Sequence, residues 1–264
     1  MFATTRGDDL RKALRSASLK DIKTIFGKST EPLSEKEVIQ VLRLLLGRSN
    51  FDFEMVDLLR KRHCDLNMPL GDKKTDPDQY RIGDYLSSYG RLSPRLIHEM
   101  DKAGYKFSQT NTNKENAGFY LISSAPINYK LVAALKSKGL DFSQKNVKGK
   151  TLVDELLSVS MHYPNKHYKD LIVHRLSPLF DNKEDINSLV KTTSLTEIGE
   201  LVSRRIAEIQ PKSYENVGIQ DIYKENAEIL SYAYSIYTNK NIIVKGRGIS
   251  MNKNDHSLSH ERDN

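Results

Sequence analysis

Cysteine is almost missing from this sequence and tryptophan entirely so, with Cys64 the one thiol and no indole. One cysteine excludes an intramolecular disulfide. It fits a reducing compartment, the cytoplasm, and is also compatible with passage through an oxidising one. Long apolar runs are missing too. The longest candidate, Val41 to Leu46, is broken by Arg43 and falls far short of the roughly 20 residues of a membrane-spanning helix. Met1 to Arg15 is polar, carries Asp8 and Asp9, and has no apolar centre of the kind a secretory signal needs. A glycine-rich phosphate loop is lacking as well, since Gly246-Arg-Gly248 precedes no helical pattern.

Groupings with catalytic or metal-binding spacing are equally scarce. His162 and His167 are separated by Pro164, which breaks any helix that would put them on one face, and no further ligand stands near. His63-Cys64 falls at the end of a helical pattern, where a buried or capping role outweighs a nucleophilic one because no base is placed beside it. The carboxylate pairs Asp8-Asp9 and Glu184-Asp185 most simply serve helix N-termini. Hence no catalytic residue, metal ligand or cofactor is assigned and the chain is not expected to be an enzyme. An active site assembled only by the fold is the remaining alternative.

Hydrophobic residues make up 38% and charged residues 28% of the 264, enough apolar material for a packed core and too much for an unfolded chain. The net charge of +7 and pI near 9.2 favour acidic partners. Self-similarity is the dominant pattern. Leu131-Val-Ala-Ala-Leu-Lys-Ser-Lys-Gly-Leu-Asp-Phe-Ser-Gln-Lys-Asn146 lies without gaps over Leu96-Ile-His-Glu-Met-Asp-Lys-Ala-Gly-Tyr-Lys-Phe-Ser-Gln-Thr-Asn111, 35 residues earlier. A weaker copy, Met55 to Asn67, places Val56 and Leu66 41 residues before Ile97 and Phe107. Its extra length is assigned to a loop insertion in the polar stretch Gly71 to Gln79. Leu19 to Phe26 and Tyr168 to Leu176 extend the series, with Ile22 34 residues before Val56 and Ile172 40 after Val132.

Each copy predicts a helix closed by a turn. Leu131, Val132 and Leu135 form one apolar stripe, and Gly104 and Gly139 sit where a helix end needs a left-handed residue. Shorter helical patterns lie between, over Ile82 to Leu86, Phe119 to Ile122 and Leu152 to Leu157. The expected unit is helix, tight turn, helix, longer loop. One such pair cannot bury its apolar face alone, so neighbours stack. The chain is therefore expected to be all-α, with four to five repeat units over residues 1–180. Residues 181–240 follow as a helical cap or small module, with helices over Leu195 to Ile209 and Gly218 to Tyr237. The first is capped by Ser194 or Thr193 and stopped by Pro211. Residues 241–264 are expected to be a disordered polar tail.

The run Leu131 to Ser143, continued by Asn146-Val-Lys-Gly-Lys-Thr-Leu-Val-Asp-Glu-Leu156, resembles the end of one ankyrin repeat and the start of the next. That family's unit has about 33 residues and a Thr-Pro-Leu-His signature. Leu152 stands where proline is usual and Asp154 where histidine is usual, and Asn116-Ala-Gly-Phe-Tyr-Leu121 lacks the signature. The resemblance covers roughly residues 8–180 and implies a divergent ankyrin-like solenoid. A different helix-pair solenoid is the competing fold.

What the resemblance implies for function is protein binding on a concave face of first helices and loops. The positions concerned are Tyr80, Arg81, Tyr85, Tyr89, Asn113, Lys114, Phe119 and Tyr120, in which Tyr and Arg are typical interface anchors. Packing of some of these tyrosines between repeats is the alternative. A nucleic-acid partner is a second reading, on Arg60-Lys61-Arg62, Lys73-Lys74, Lys145, Lys148 and Lys150, although solvated helix faces explain most of these charges. Degenerate Lys- and Asn-rich arrays of this kind resemble those of intracellular bacteria, their host-directed effectors and viruses. The resemblance implies a host-cell cytoplasmic setting, as a bacterial effector or viral inhibitor. The tail Asn252 to Asn264 resembles a carboxy-terminal secretion signal, and a polar tail without that use is the simpler reading.

Overall fold

Side-chain caps decide where the helices begin. In the computed structural model, which describes residues 34–46, 53–71, 74, 76–124, 126–160, 165–192 and 194–238, eleven α-helices and one short 3-10 helix are present and no strand occurs among the described residues. They are α1 (Glu35–Leu46), α2 (Phe53–Lys61), α3 (Ile82–Ser88), α4 (Pro94–Lys102), α5 (Ala117–Ser124), α6 (Tyr129–Ser137), α7 (Leu152–Ser160), α8 (Asn165–Leu176), α9 (Lys183–Lys191), α10 (Leu195–Glu208) and α11 (Ile219–Tyr237), with the 3-10 turn Ser177–Leu179 between α8 and α9. Ser93 Oγ accepts from Leu96 N at the start of α4, with Pro94 in the first turn, and Asn128 Oδ1 accepts from Lys130 N at the start of α6. In α3 and α7 the third residue reaches back instead: Asp84 accepts from Arg81 N and Asp154 from Thr151 N, both at 2.8 Å. Each device satisfies backbone donors that a helix start leaves orphaned.

The ends recur as well. Gly104 and Gly139 have φ of +89° and +79°. The next amide folds back over each, Tyr105 N to Met100 O and Leu140 N to Leu135 O, closing the helix. His63 takes the same place after α2 with φ +52°, and Cys64 N donates to Leu59 O. A β-carbon in this conformation costs about 1 kcal/mol. We expect His63→Gly to raise stability by about 0.5–1 kcal/mol and Gly104→Ala, which meets no atom within 4 Å, to lower it by about 1–2 kcal/mol. Urea denaturation checks both, and equal midpoints for the three proteins would refute the conformational account.

The helices pack in two series. α1 touches α3, α3 touches α5 and α5 touches α7, while α2 touches α4 and α4 touches α6. Val56, Ile97, Val132 and Ile172, the positions aligned by sequence, are all buried. After α7 the alternation stops: α7 meets α8 and α10, and α11 packs on α8, α9 and the 3-10 turn. One continuous core runs from Val38 to Ala233. The link from α10 to α11 crosses α4 and α6. Lys212 N donates to Ala133 O, Arg95 N to Val217 O, and the Lys136 ammonium donates to the carbonyls of Ile206, Ala207 and Ile209 at the end of α10. A cation there complements the negative end of the helix. α11 is fastened to the start of α6 by Glu225, which accepts from Tyr129 Oη and pairs with Lys130, and by Asn226, which accepts from Asn128 Nδ2.

Of the sequence expectations, the upstream copy Leu19 to Phe26, His162 and the tail from residue 241 lie outside the described residues. Ser194 caps α10, which ends at Glu208, three residues before Pro211.

Candidate binding face

Three loops build the face, and each is organised by one buried Asx side chain. Asn111 Oδ1 accepts from the amides of Asn113 and Glu115, and Asn111 O accepts from Lys114 N. Asn146, 35 residues later, does the same for Lys148, Lys150 and Gly149. Asp76, 35 residues earlier, accepts from Tyr80 N at 2.9 Å through Oδ2 and from Gln79 N through its carbonyl. The fourth residue of each turn is left-handed: Gln79, Lys114 and Gly149 have φ of +58°, +60° and +73°. All three Asx residues are buried, so the turns are held from inside. The insertion expected over Gly71 to Gln79 is therefore narrower. Asp76 to Gln79 belongs to the recurring turn, and the extra length precedes it.

Neighbouring loops are also tied to each other. Asn113 Nδ2 donates to Asp78 Oδ1, Thr112 Oγ1 to Pro77 O, and Val147 N to Asn113 O. Arg81 is a clamp. Its guanidinium spans the carbonyls of Asn67 and Thr110, at 3.1 and 2.9 Å.

Behind the loops stand Tyr85 of α3 and Tyr120 of α5, with Tyr80 two residues before α3 between them. The half-buried Tyr80 ring lies 5.7 Å from Tyr85 at 73° and 5.2 Å from Tyr120 at 85°. Tyr80 Oη donates to Asp78 Oδ2 at 2.9 Å, and Tyr120 Oη donates to Glu115 Oε2 at 2.6 Å and accepts from Asn111 Nδ2 at 2.7 Å. Burial first, and then the neighbouring carboxylates, push both phenols up, Tyr80 to about 12. Both are neutral donors at physiological pH. Beneath them Asp84 is 4% exposed. Burial pushes its carboxyl up to about 7, opposed by the Arg81 amide and guanidinium.

The predicted residues thus divide. Tyr80, Tyr85 and Tyr120 come together, and Asn113 and Lys114 sit on the loop beside them. Arg81 is committed to holding loops. Tyr89 is 56% exposed at the far end of α3, with the Arg91 guanidinium 5.1 Å from its ring centroid. Phe119 is buried, so little of its ring is open to a partner. Sequence reasoning missed Asp78, Glu115 and the Asp76 hub. The signal for Asp76 was present, an Asx residue 35 before Asn111.

The basic residues are only partly available. Arg60 and Lys61 pair with Asp57 at 2.6 and 2.7 Å and Arg62 is buried, whereas Lys145 and Lys148 are exposed. Burial pushes the Cys64 thiol up to about 11, far from the thiolate a nucleophile requires. Among the described residues, no group of three or more His, Cys, Asp or Glu is placed to hold a metal. None of the described helices is long and apolar enough to cross a membrane. Comparison with known proteins adds no relative, since no family model, curated protein or solved structure matches the chain.

Proposed function

We propose that this chain is a protein-binding module, an ankyrin-like helical-repeat solenoid that holds a partner on the face formed by α3, α5, α7 and their loops. α8 to α11 close the open end of the array in this reading. The observation that carries it is the 35-residue recurrence of the Asx-centred turns, cross-linked into one surface with tyrosines behind them. A surface fixed before binding loses little entropy on docking, and Tyr is among the residue types that anchor interfaces. Such an array keeps its apolar residues in the stacked core and leaves the loop tips to make contacts. The setting proposed is cytoplasmic, in the cell of origin or, for a bacterial effector or viral inhibitor, in a host.

A protein partner is favoured over nucleic acid because Asp78 and Glu115 lie within the ring cluster and Asp57 engages two members of the basic triple. Salt separates the two. A nucleic-acid complex loses affinity by orders of magnitude between about 50 and 200 mM salt when many phosphates are contacted. We expect the complex to lose less than about tenfold over that range. We also expect Tyr89→Ala combined with Lys114→Glu, two exposed positions, to abolish partner capture while leaving the circular dichroism unchanged. Capture that survives both changes, or that needs only α8 to α11, would count against the face.

A further inference from the structure

We propose that the rings of Tyr80, Tyr85 and Tyr120 form a seat for a cationic side chain, arginine or lysine, of a peptide segment; as a statement about the partner, this rests on the first-helix face being the binding face. The central ring has a neighbour nearly perpendicular to it on each of two contacts, at 73° and 85°, and all three residues are half-buried. In each contact the edge of one ring meets the face of another, and the ring area left half exposed is what a cation can approach. Two of the hydroxyls donate to carboxylates, Tyr80 to Asp78 and Tyr120 to Glu115. A phenol that donates to an anion becomes richer in electrons, which strengthens the attraction of its ring for a cation.

The charges complete the case. Among the described residues neither Asp78 nor Glu115 takes part in an ion pair. Arg81 points its donors at the carbonyls of Asn67 and Thr110, and Arg43, whose charge reaches the Tyr85 phenol, donates to the carbonyl of Leu70. Two carboxylates thus sit beside the rings with no ion-pair partner among the described residues, in a chain whose net charge is +7. A phosphate would be repelled there, and an apolar side chain would bury two carboxylates that hold hydrogen bonds from Tyr80, Asn113, Tyr120 and Asn146 but no countercharge. A guanidinium or ammonium satisfies rings and carboxylates together. Asn111, donating to Tyr120, holds that ring in place before anything binds.

The probes are acetylated, amidated Gly-Ser-Arg-Ser-Gly, its lysine counterpart and its citrulline counterpart, titrated into the full chain carrying ring-labelled tyrosine. The expected NMR result is saturable movement of the Tyr80, Tyr85 and Tyr120 ring signals with the arginine and lysine peptides and none with citrulline. Glu115→Gln, which keeps the hydrogen-bonding shape, should weaken the arginine peptide about threefold to tenfold, and Tyr80→Leu about tenfold. Tyr85→Leu, whose hydroxyl holds neither carboxylate, is the second ring variant if Tyr80→Leu fails to fold. Equal movement with the citrulline peptide, or unchanged affinity in Glu115→Gln, would overturn the seat. Rings unmoved by charged peptides, in a chain whose partner is still lost with Tyr89→Ala and Lys114→Glu, would overturn the seat and leave the binding face standing. Movement with the arginine peptide in a chain whose partner ignores those substitutions would support the seat and count against the face.

Discussion

Asp84→Asn is expected to flatten the pH dependence of stability between pH 5 and pH 8. The carboxyl is 4% exposed and sits at about 7 in the fold against an ordinary 3.8. The folded state therefore holds the proton more tightly than the unfolded chain. Stability from this group is fully present below about pH 4, falls as pH rises, and is lost above about pH 7. The whole displacement corresponds to roughly 4 kcal/mol, of which roughly 2–3 kcal/mol falls between pH 5 and pH 8. Asparagine retains an oxygen for the Arg81 amide and does not titrate. Urea denaturation of both proteins at several pH values gives the test. The wild type should lose roughly 2–3 kcal/mol more than the variant over that interval. Parallel profiles would show that Asp84 titrates in the ordinary carboxylate range.

Gly83→Ala should destabilise by about 3 kcal/mol, as overpacking does where nothing can yield. Gly83 lies inside α3, and a β-carbon there overlaps the hydroxyl end of Tyr105. That ring is 2% exposed and leans on Phe107 at 4.8 Å, so it has nowhere to turn. The repeat supplies the remedy. At Gly118, 35 residues on, the place of Tyr105 is taken by Leu140, whose Cδ2 would stand 3.1 Å from a β-carbon, while Asn116 Oδ1 at 2.9 Å is the nearest atom. Tyr105→Leu should therefore recover part of the loss in a Gly83→Ala background, although it destabilises the wild type. A double-mutant cycle measures this coupling, and strict additivity would contradict the packing argument.

These glycines show why the sequence was legible in places and not in others. Gly104 and Gly139 could be read because a helix end requires a left-handed residue and glycine supplies it cheaply. His63 breaks that rule in residue type while keeping the conformation. The turn hubs were hidden the same way. Asp76, Asn111 and Asn146 each accept from the amide four residues on through the side chain and three residues on through the carbonyl, but Gln79, Lys114 and Gly149 share only a dihedral angle, which the letters do not display. Of the helices after residue 180, α9 was not foreseen beyond the carboxylate pair at its start, whereas α10 followed from its apolar stripe and α11 from its tyrosine-rich pattern. That Lys136 and Glu225 bind them to α6 did not, because such pairings join residues 70 and more positions apart. Of the face, the tyrosines were visible by residue type. Asp78 and Glu115 were not, since a carboxylate on a loop looks like any solvated charge until a hydroxyl is found pointing at it. Phe119 looked like Tyr120 in sequence, and a helix turns adjacent residues by about 100°, which leaves Phe119 buried and Tyr120 half-buried.

The binding face itself is tested most directly by site-specific photocrosslinking. Benzoylphenylalanine placed at Tyr89 or at Lys114, in lysates of candidate host and bacterial cells, should yield one shared protein adduct. The same group at Lys102, exposed on α4, should yield none. An adduct formed from Lys102 and absent from both face positions would contradict the account.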